Sequence, residues 1–459
     1  MSQGSLLLFD DVITYNKPMS DVIVALATPP IKGALAVIRS SGDGVFDLVQ
    51  NFFNRNILNI KEKTIFTGKI SENGKDIDMV VLLTYPKPAT STGEDVVEII
   101  CHGSMVIVNE IIECYLRRGA RYAARGEFSS RAYLNGKMDL VEAEAVNDLI
   151  NATTIESKNI SLDSLEGKTS KLVSPLKESL SALLALVEVN IDYPEYEDIE
   201  QINKERIVST IDAIREDIKD KIKKGKEGNI IRNGIKLAIV GLPNVGKSSL
   251  LNAFVGQSKA IVSDIPGTTR DVVEGDISIK GIPIHLLDTA GLRDKAEKIE
   301  ELGIEKTKET INSADVVVLV VDARKGLTKE EKEIINLATD KKVIIAYNKT
   351  DLVKERTDGV NISALNGDIE ELKDAIYKSL GLSEESFSSP SLSSARVIGL
   401  LKHIDECLAE AKNDCVGDAP IDLISVNLLD AYNACREILG ENPTRDLTDE
   451  IFSRFCVGK

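Results

Sequence analysis

Apolar residues are spaced in three ways along this chain, and each spacing predicts a different kind of structure. From about 21 to 137, short β-branched runs alternate with turns: Asp21 to Ala27, Ala34 to Ile38, Met79 to Thr84 and Val96 to Ile100. Val106 to Leu116 reads as a helix, so this part is a mixed α+β domain. From about Asp139 the apolar positions take helical spacing, clearest in Leu140 to Ile150. The spacing continues through Leu186 and again through Ile230. Between about 234 and 382, apolar strand-like runs such as Ile235 to Val240, Ile284 to Leu287 and Val343 to Tyr347 alternate with helical stretches. That alternation is the pattern of a doubly wound α/β domain. Ser386 to Ser394 is polar, contains Pro390 and predicts a linker, after which the chain is helical again from about 395 to 455. The economical organisation is an extension at 1–20, an α+β domain at 21–137, a discontinuous helical domain at 138–232 and 383–459, and an α/β domain at 233–382 inserted between its halves. The expected fold class is therefore α/β multidomain. The insertion gives changes in the α/β domain a route through the helices to the first domain.

The inserted domain carries the chemistry. Gly241 to Ser248 reads Gly-Leu-Pro-Asn-Val-Gly-Lys-Ser and fits G-x-x-x-x-G-K-[ST] in full. It lies between a β-prone run and the helix-like Ser249 to Phe254. Glycines let such a loop turn its N–H groups toward phosphates. Lys247 can neutralise the β- and γ-phosphates, and the Ser248 hydroxyl can hold Mg²⁺. Asn244, Val245, Gly246 and Ser249 complete the nucleotide-binding set. Asp288-Thr289-Ala290-Gly291 ends the next strand-like run. Its carboxylate can orient the Mg²⁺ water shell, and Gly291 lets the backbone approach a γ-phosphate. Asn348-Lys349-Thr350-Asp351 follows Val343 to Tyr347. The Asp351 carboxylate can accept from guanine N1–H and the exocyclic amine, where adenine offers the opposite pattern. Ser363-Ala364 is placed to contact guanine O6. Gly267-Thr268-Thr269-Arg270-Asp271 reads as a first switch, with Thr269 closing over Mg²⁺ and the γ-phosphate. In this order the motifs resemble those of the translation-factor-like small GTPases, which predicts a Ras-like P-loop GTPase domain that binds GTP.

Leu292 stands where many such domains place a water-orienting Gln, and the P-loop carries no arginine finger. Two replacements stay open on the residues alone. A monovalent cation can be held by the Asn244 amide oxygen and by carbonyls of Ser263 to Thr268. A water-orienting carboxylate can come from Glu297, Glu300 or Glu301.

Composition narrows the remainder. The formal net charge is −17, so no global field draws the chain to nucleic acid or to anionic membrane. Arg117, Arg118, Arg121, Arg125, Arg131 and Lys137 cluster against this background. They read either as a surface for RNA or an anionic cofactor, or as plain surface charge. The six cysteines show no metal-ligand spacing, which fits reduced thiols in the cytoplasm. No apolar run approaches membrane-spanning length, and Met1 to Leu8 lacks the basic start of a signal peptide.

Segments outside the GTPase motifs carry a closer likeness. They are Ala25-Leu26-Ala27-Thr28-Pro29-Pro30, Gly93-Glu94-Asp95, Gly126 to Lys137, Asp139-Leu140 with Glu142 to Ala145, and the terminal Phe455-Cys456-Val457-Gly458-Lys459. With them the chain resembles the MnmE (TrmE) family of tRNA-modification GTPases from about 21 to the end. Ribosome-assembly GTPases share the nucleotide motifs but lack both end segments. The resemblance implies that 21–137 dimerises and binds 5-formyl- or methylene-tetrahydrofolate. Arg39, Glu98 and Lys137 would be its ligands, and Lys459 would reach in from the C-terminus. It implies a potassium-activated GTPase with Mg²⁺ on Ser248 and Thr269. K⁺ would sit on the side chains of Asn244 and Thr268 and the carbonyls of Ser263 and Ile265, in place of an arginine finger. Glu300 would orient water, and Lys247, Thr269 and Cys456 would join it in the catalytic set. The implied partners are a second copy of the chain, tRNA, and an FAD-dependent MnmG/GidA-type protein forming a heterotetramer. GTP hydrolysis would drive G-domain association, and the modification falls on carbon 5 of a wobble uridine, giving an aminomethyl or carboxymethylaminomethyl form. Departures from the family pattern are Ile31-Lys32-Gly33-Ala34 in place of a glycine-rich turn, Arg125 in place of Pro, and Val457 in place of Ile.

Overall fold

The computed structural model describes residues 21–192, 204–257, 276–287, 300–353, 358–417, 420–441 and 445–458. They form two compact units. One runs up to Ala143 and includes the stretch from Arg445 to Gly458; the other runs from Glu144 to Glu441.

In the first unit β1 (Ile23–Leu26), β2 (Leu35–Ser41), β3 (Thr64–Glu72), β4 (Lys75–Tyr85), β5 (Val96–His102) and β6 (Arg121–Tyr122) form one sheet. The strand order is β3-β4-β5-β2-β1-β6. Every neighbour is antiparallel except β1–β6. The two-residue period of strands sends Ala36, Ile38, Val97, Ile99 and Cys101 into one core. The helices α1 (Val45–Gln50) and α2 (Met105–Leu116) cover that core. α2 buries Val108, Ile111, Ile112 and Tyr115, which fall on one helical face. The opposite sheet face carries Arg39 and Glu98, directly paired across β2 and β5.

The helix α3 (Glu127–Leu134) begins at Gly126, whose φ is 65°. A Cβ there would overlap the Phe452 carbonyl oxygen, so glycine lets the helix Arg445–Ser453 approach closely. Phe452 also packs on Tyr133 and Phe455.

The basic cluster divides between the interior and the surface. Arg131 is buried at the centre of an ion-pair group. It donates to Glu94 at 3.1 Å, to Glu127 at 3.0 Å and to the Asp21 carboxylate at 2.9 Å. Arg121 pairs with Asp21 and Glu127, while Arg117 and Arg118 pair with Glu72. Four of the six cations are therefore paired with carboxylates, Arg131 in the interior and Arg117 and Arg121 at the surface. Lys137 is exposed.

The second unit joins helices to a second sheet. Its elements are α4 (Leu140–Asn151, which begins just before it), α5 (Ile155–Leu165), α6 (Ser174–Asp192), α7 (Lys204–Asn233), β7 (Ile235–Val240), α8 (Lys247–Gln257), β8 (Asp276–Ile279) and β9 (Ile282–Leu287). They continue with α9 (Glu300–Ser313), β10 (Val316–Asp322), α10 (Lys329–Leu337), β11 (Lys342–Asn348), β12 (Val360–Ile362), α11 (Glu370–Leu380), α12 (Ala395–Val416) and α13 (Ile421–Leu439). The sheet order is β12-β11-β10-β7-β9-β8, parallel except for the β8–β9 hairpin. β10 is buried on both faces, as its unbroken Val316 to Val321 run requires of a central parallel strand. Among the helices, α7 packs on α12, α12 on α13, and α13 on α6. α7 buries Ile207, Ile211, Ile214 and Ile218 along one stripe.

Ser386 to Ser394 is a docked segment rather than a free linker. Ser391, Leu392 and Ser393 are buried against α7, where Gly225 and Gly228 open a slot. A Cβ on Gly225 would stand 2.6 Å from the Leu392 carbonyl oxygen. At the end of α7, Gly234 turns the chain into β7 with φ 73°, and a Cβ there would overlap the Pro283 carbonyl oxygen. His285 bridges the same junction, between Asp276 at 2.9 Å and the Asn233 carbonyl at 2.8 Å. Among the described residues no helix is long and apolar enough to cross a membrane.

The Glu127 carboxyl sits below the usual range. Burial alone would raise it, but the charge-assisted bonds from Arg121, the Ala124 N–H and Arg131 outweigh that. Its contribution to stability is therefore complete above about pH 4.3, the ordinary glutamate value, and is lost as pH falls through the lowered folded value. Glu127→Gln should destabilise the first unit at pH 7 by about 2 kcal/mol, because two arginines lose a buried partner. Its denaturation midpoint should also fall less than the parent's between pH 7 and about pH 3.5. Denaturant titrations at both pH values test this; equal acid sensitivity of the two proteins rules the assignment out.

Candidate functional site

The phosphate-binding loop leaves β7 and enters α8. Its backbone takes left-handed or glycine-only angles at Gly241 (φ 148°), Asn244 (φ 63°) and Gly246 (φ 104°). Asn244 tolerates such angles better than most side chains. A Cβ on Gly246 would overlap the Asn348 amide nitrogen, so glycine is required there by its neighbour as well as by its angle. The Lys247 ammonium crosses the loop and donates to the carbonyls of Gly241 at 2.7 Å and Leu242 at 2.8 Å. Burial lowers its pKa, as expected of a cation held by dipoles alone. Ser248 is exposed, Ser249 is half-buried, and Val245 is buried under the loop.

Asn348 ties three segments together. Its amide nitrogen donates to the Val245 carbonyl at 2.8 Å, and its amide oxygen accepts from the Ala364 N–H at 3.0 Å. Lys349 has φ 70°, and its ammonium donates to the Asn244 carbonyl at 2.8 Å. Asp351 is exposed, with one carboxylate oxygen accepting from the Ser363 hydroxyl at 2.7 Å. The Thr350 hydroxyl donates to the Ile362 carbonyl at 2.9 Å. The P-loop, Asn348 to Asp351 and Ser363-Ala364 therefore meet in one place. A phosphate-accepting loop there lies beside an exposed carboxylate of fixed orientation, an arrangement that can take a guanine nucleotide end to end.

Several sequence-predicted residues fall outside the described residues: Ser263, Ile265, Thr268, Thr269, Asp288, Thr289, Ala290, Gly291 and Lys459. Glu300 opens α9, and its side chain is not among those described. Among the described residues no group of three or more His, Cys, Asp or Glu side chains can hold a metal ion.

Sequence reading missed Asp322. It ends β10, lies in register with Asn348, is buried, and pairs with Lys349 at 2.8 Å. The available signal was a carboxylate closing an otherwise wholly apolar run, Val316 to Val321.

In the first unit, Arg39 and Glu98 form a second polar centre. The Arg39 Nε and one terminal nitrogen both lie 2.8 Å from the Glu98 carboxylate. Its other terminal nitrogen donates to the Gly458 carbonyl at 3.2 Å, and the guanidinium lies over the Phe128 ring at 5.9 Å. The Tyr85 hydroxyl donates to Glu98 at 3.3 Å; burial and then the Glu98 charge push its pKa up, so it stays a donor. The chain end is seated beside this pair. Arg125 and Val457, two of the departures noted above, form an isolated antiparallel bridge, and Gly458 takes φ 93° against the backbone of Leu26 and Ala27. Cys456 is exposed. Among the described residues no hydrogen bond joins Lys137 to the Arg39–Glu98 pair. The Lys137 stem lies instead against Gly93, where a Cβ would stand 3.0 Å from its Cε.

Replacing Asp351 by Asn should exchange the base preference. The amide keeps one acceptor but offers donors where guanine also donates, so GDP affinity should fall by about 100-fold or more. Xanthine nucleotides, with an acceptor at that edge, should gain. Competition of GDP and XDP against a fluorescent nucleotide measures both; an unchanged GDP:XDP ratio excludes Asp351 as the base reader.

Comparison with known proteins extends over nearly the whole chain. The family described as MnmE helical domain matches residues 140–456, and the one described as GTP-binding protein TrmE N-terminus matches residues 22–137. The protein named tRNA modification GTPase MnmE from Acetivibrio thermocellus is 42% identical over 456 residues, covering 96% of this chain and 99% of its own. Its namesake from Levilactobacillus brevis is 38% identical over 457 residues, covering 96% and 98%. That from Thermotoga maritima is 40% identical over 453 residues, covering 96% and 100%. The chain belongs to the MnmE family of tRNA modification GTPases.

Proposed function

We infer that the chain is a GTP hydrolase acting in tRNA modification, and we propose that it is activated by potassium and works with a folate-derived one-carbon unit. The carrying observation is the convergence of the P-loop, Asn348 to Asp351 and Ser363-Ala364 through the Asn348 side chain. Asp351 reads guanine and the P-loop backbone cradles the phosphates. Lys247 neutralises the β- and γ-phosphates, and Ser248 and Thr269 would hold Mg²⁺. Asn244 and Thr268 would hold K⁺ by side-chain oxygens, with the carbonyls of Ser263 and Ile265. When bound, these cations neutralise charge developing on the phosphates, the task an arginine finger performs elsewhere. Glu300 orients the attacking water, since Leu292 has no polar atom to do so.

The folate reading rests on Arg39 and Glu98. A carboxylate suits the donor edge of a pterin, while the cations Arg39, Lys137 and Lys459 suit the acidic parts of the cofactor. Domains follow as 21–137 for folate and dimerisation, 138–232 with 383–459 for the helices, and 233–382 for the nucleotide. The partners are a second copy, tRNA, and an FAD-dependent MnmG/GidA-type protein in the cytoplasm. The outcome is an aminomethyl-type group on carbon 5 of a wobble uridine, with the Cys456 thiol as a candidate nucleophile. GTP hydrolysis drives association of the G domains.

Asn244→Gly, which keeps the φ of 63° accessible, should abolish the advantage of potassium over sodium in steady-state GTP hydrolysis while leaving GDP binding within about threefold, because one amide oxygen is lost and the loop backbone is kept. A surviving cation preference would place the ion elsewhere. Arg39→Ala should weaken 5-formyl-tetrahydrofolate binding by about tenfold or more with GTP hydrolysis near the parent rate, since a charge-assisted pair is removed from the first unit alone. Calorimetric titration checks it, and equal folate affinity in the variant removes Arg39 from the site.

A further inference from the structure

Lys349 is held at both ends of its ammonium by groups outside its own loop. Its Nζ donates to the Asn244 carbonyl at 2.8 Å and to Asp322 Oδ2 at 2.8 Å. Asp322 is itself locked. The Arg324 guanidinium donates to Oδ1 at 2.9 Å and to Oδ2 at 2.6 Å, and the Arg324 N–H donates to Oδ1 at 3.1 Å. The Arg324 bonds, followed by the Lys349 bond, outweigh burial and hold the Asp322 carboxyl far below the usual carboxylate range. The carboxylate is therefore charged at every physiological pH. Its position is set by the sheet, because β10 and β11 run in register with Asp322 opposite Asn348, and the Ala323 N–H donates to the Asn348 carbonyl at 2.9 Å.

Lys349 needs such an anchor for two reasons. A lysine side chain carries about 2 kcal/mol of rotamer entropy and does not hold one geometry unaided. Its backbone also stands at φ 70°, an angle that costs a non-glycine residue of order 1 kcal/mol. The two bonds on Nζ oppose both effects, and they join the base-reading segment to the P-loop at Asn244.

We propose that Asp322 is a positioning residue for guanine nucleotide: by fixing Lys349 it clamps Asn348 to Asp351 onto the P-loop, so that base and phosphates are read in one geometry. The proposal rests on the nucleotide reading above and adds to it a residue that touches neither base nor phosphate. Asp322 acts through Lys349, and Arg324 only holds the carboxylate in place; its guanidinium is half exposed.

The test uses the full chain and methylanthraniloyl-GDP fluorescence, with GTP hydrolysis measured in parallel. Asp322→Asn keeps the volume and removes the charge. It should weaken GDP binding about tenfold and raise the KM for GTP similarly, with kcat at saturating GTP changed less than about threefold. Asp322→Glu should recover part of the affinity, and Arg324→Ala should cost less than about threefold. The double variant Asp322→Asn with Lys349→Met should bind no worse than Lys349→Met alone, because both remove the same connection. Unchanged affinity in Asp322→Asn, or multiplying effects in the double variant, would overturn the proposal. So would a fall in kcat with KM unchanged. If Asp322→Asn and Asp322→Glu both fail to fold, the carboxylate serves stability and the proposal also falls. Failure of the unsubstituted protein to bind methylanthraniloyl-GDP in preference to methylanthraniloyl-ADP would overturn the nucleotide reading itself, which keeps the two failures apart.

Discussion

The register of β10 between β7 and β11 is the constraint on which the second unit's chemistry depends. Parallel pairing sets Leu319 opposite Val240 and Asp322 opposite Asn348. Three loops therefore leave the same end of the sheet: the turn after Asp322 and the segment from Asn348 onward at one level, and the P-loop after Val240, level with Leu319. In open α/β sheets ligands bind at such carboxyl edges. A slip of one residue would point Asn348 to the other side of its strand and break both of its bonds. Burial on both faces makes β10 a central strand, and the bonds of Asn348 to Val245 and Ala364, with that of Lys349 to Asp322, pin the register.

The first unit uses antiparallel register to the same effect. Arg39 opposes Glu98 because Ile38 and Ile99 oppose one another in the adjacent pair, with their side chains in the core. Hydrophobic alternation decides which face is buried, and the residues between are left to face outward as a charged pair. The chain end then docks beside that pair by its backbone. Gly458 approaches Leu26 and Ala27 closely, and its carbonyl accepts from Arg39. That carbonyl would be available to Arg39 whatever side chains stand at 455 to 457, whereas the close approach itself requires glycine at 458.

Local sequence patterns were legible and distant pairings were not. The P-loop, Asn348 to Asp351, and the strand–helix alternation are read from neighbours in the chain, and each lies where its spacing predicts. Arg131 was read as part of a basic surface because its acid partners are 4, 37 and 110 residues away. Only the folded sheet brings Asp21 and Glu94 to it; Glu127 is its neighbour one turn earlier on α3. Ser386 to Ser394 looked like a linker because it is polar and contains a proline. The glycines that bury it, Gly225 and Gly228, lie on a helix more than 150 residues earlier, as the Asn229 to Ser393 bond across 164 positions illustrates. Asp322 escaped notice for a related reason. One carboxylate after six apolar residues has no spacing to recognise, and its partner Lys349 was assigned to a motif of its own.

Two non-glycine residues in this site stand at left-handed angles, Asn244 at φ 63° and Lys349 at φ 70°. Each conformation costs of order 1 kcal/mol and persists only where its surroundings over-determine it. Here each is part of what determines the other, since the Lys349 ammonium donates to the Asn244 carbonyl. Relaxing either angle would move that bond, and the Asn348 bonds on either side resist the movement. The strain is therefore shared between the phosphate loop and the base-reading segment instead of being dissipated in one of them. Small displacements at the phosphate end are opposed at the base end, and the reverse. These ties hold the two loops in one arrangement before any ligand arrives, so ordering them adds little to the cost of binding.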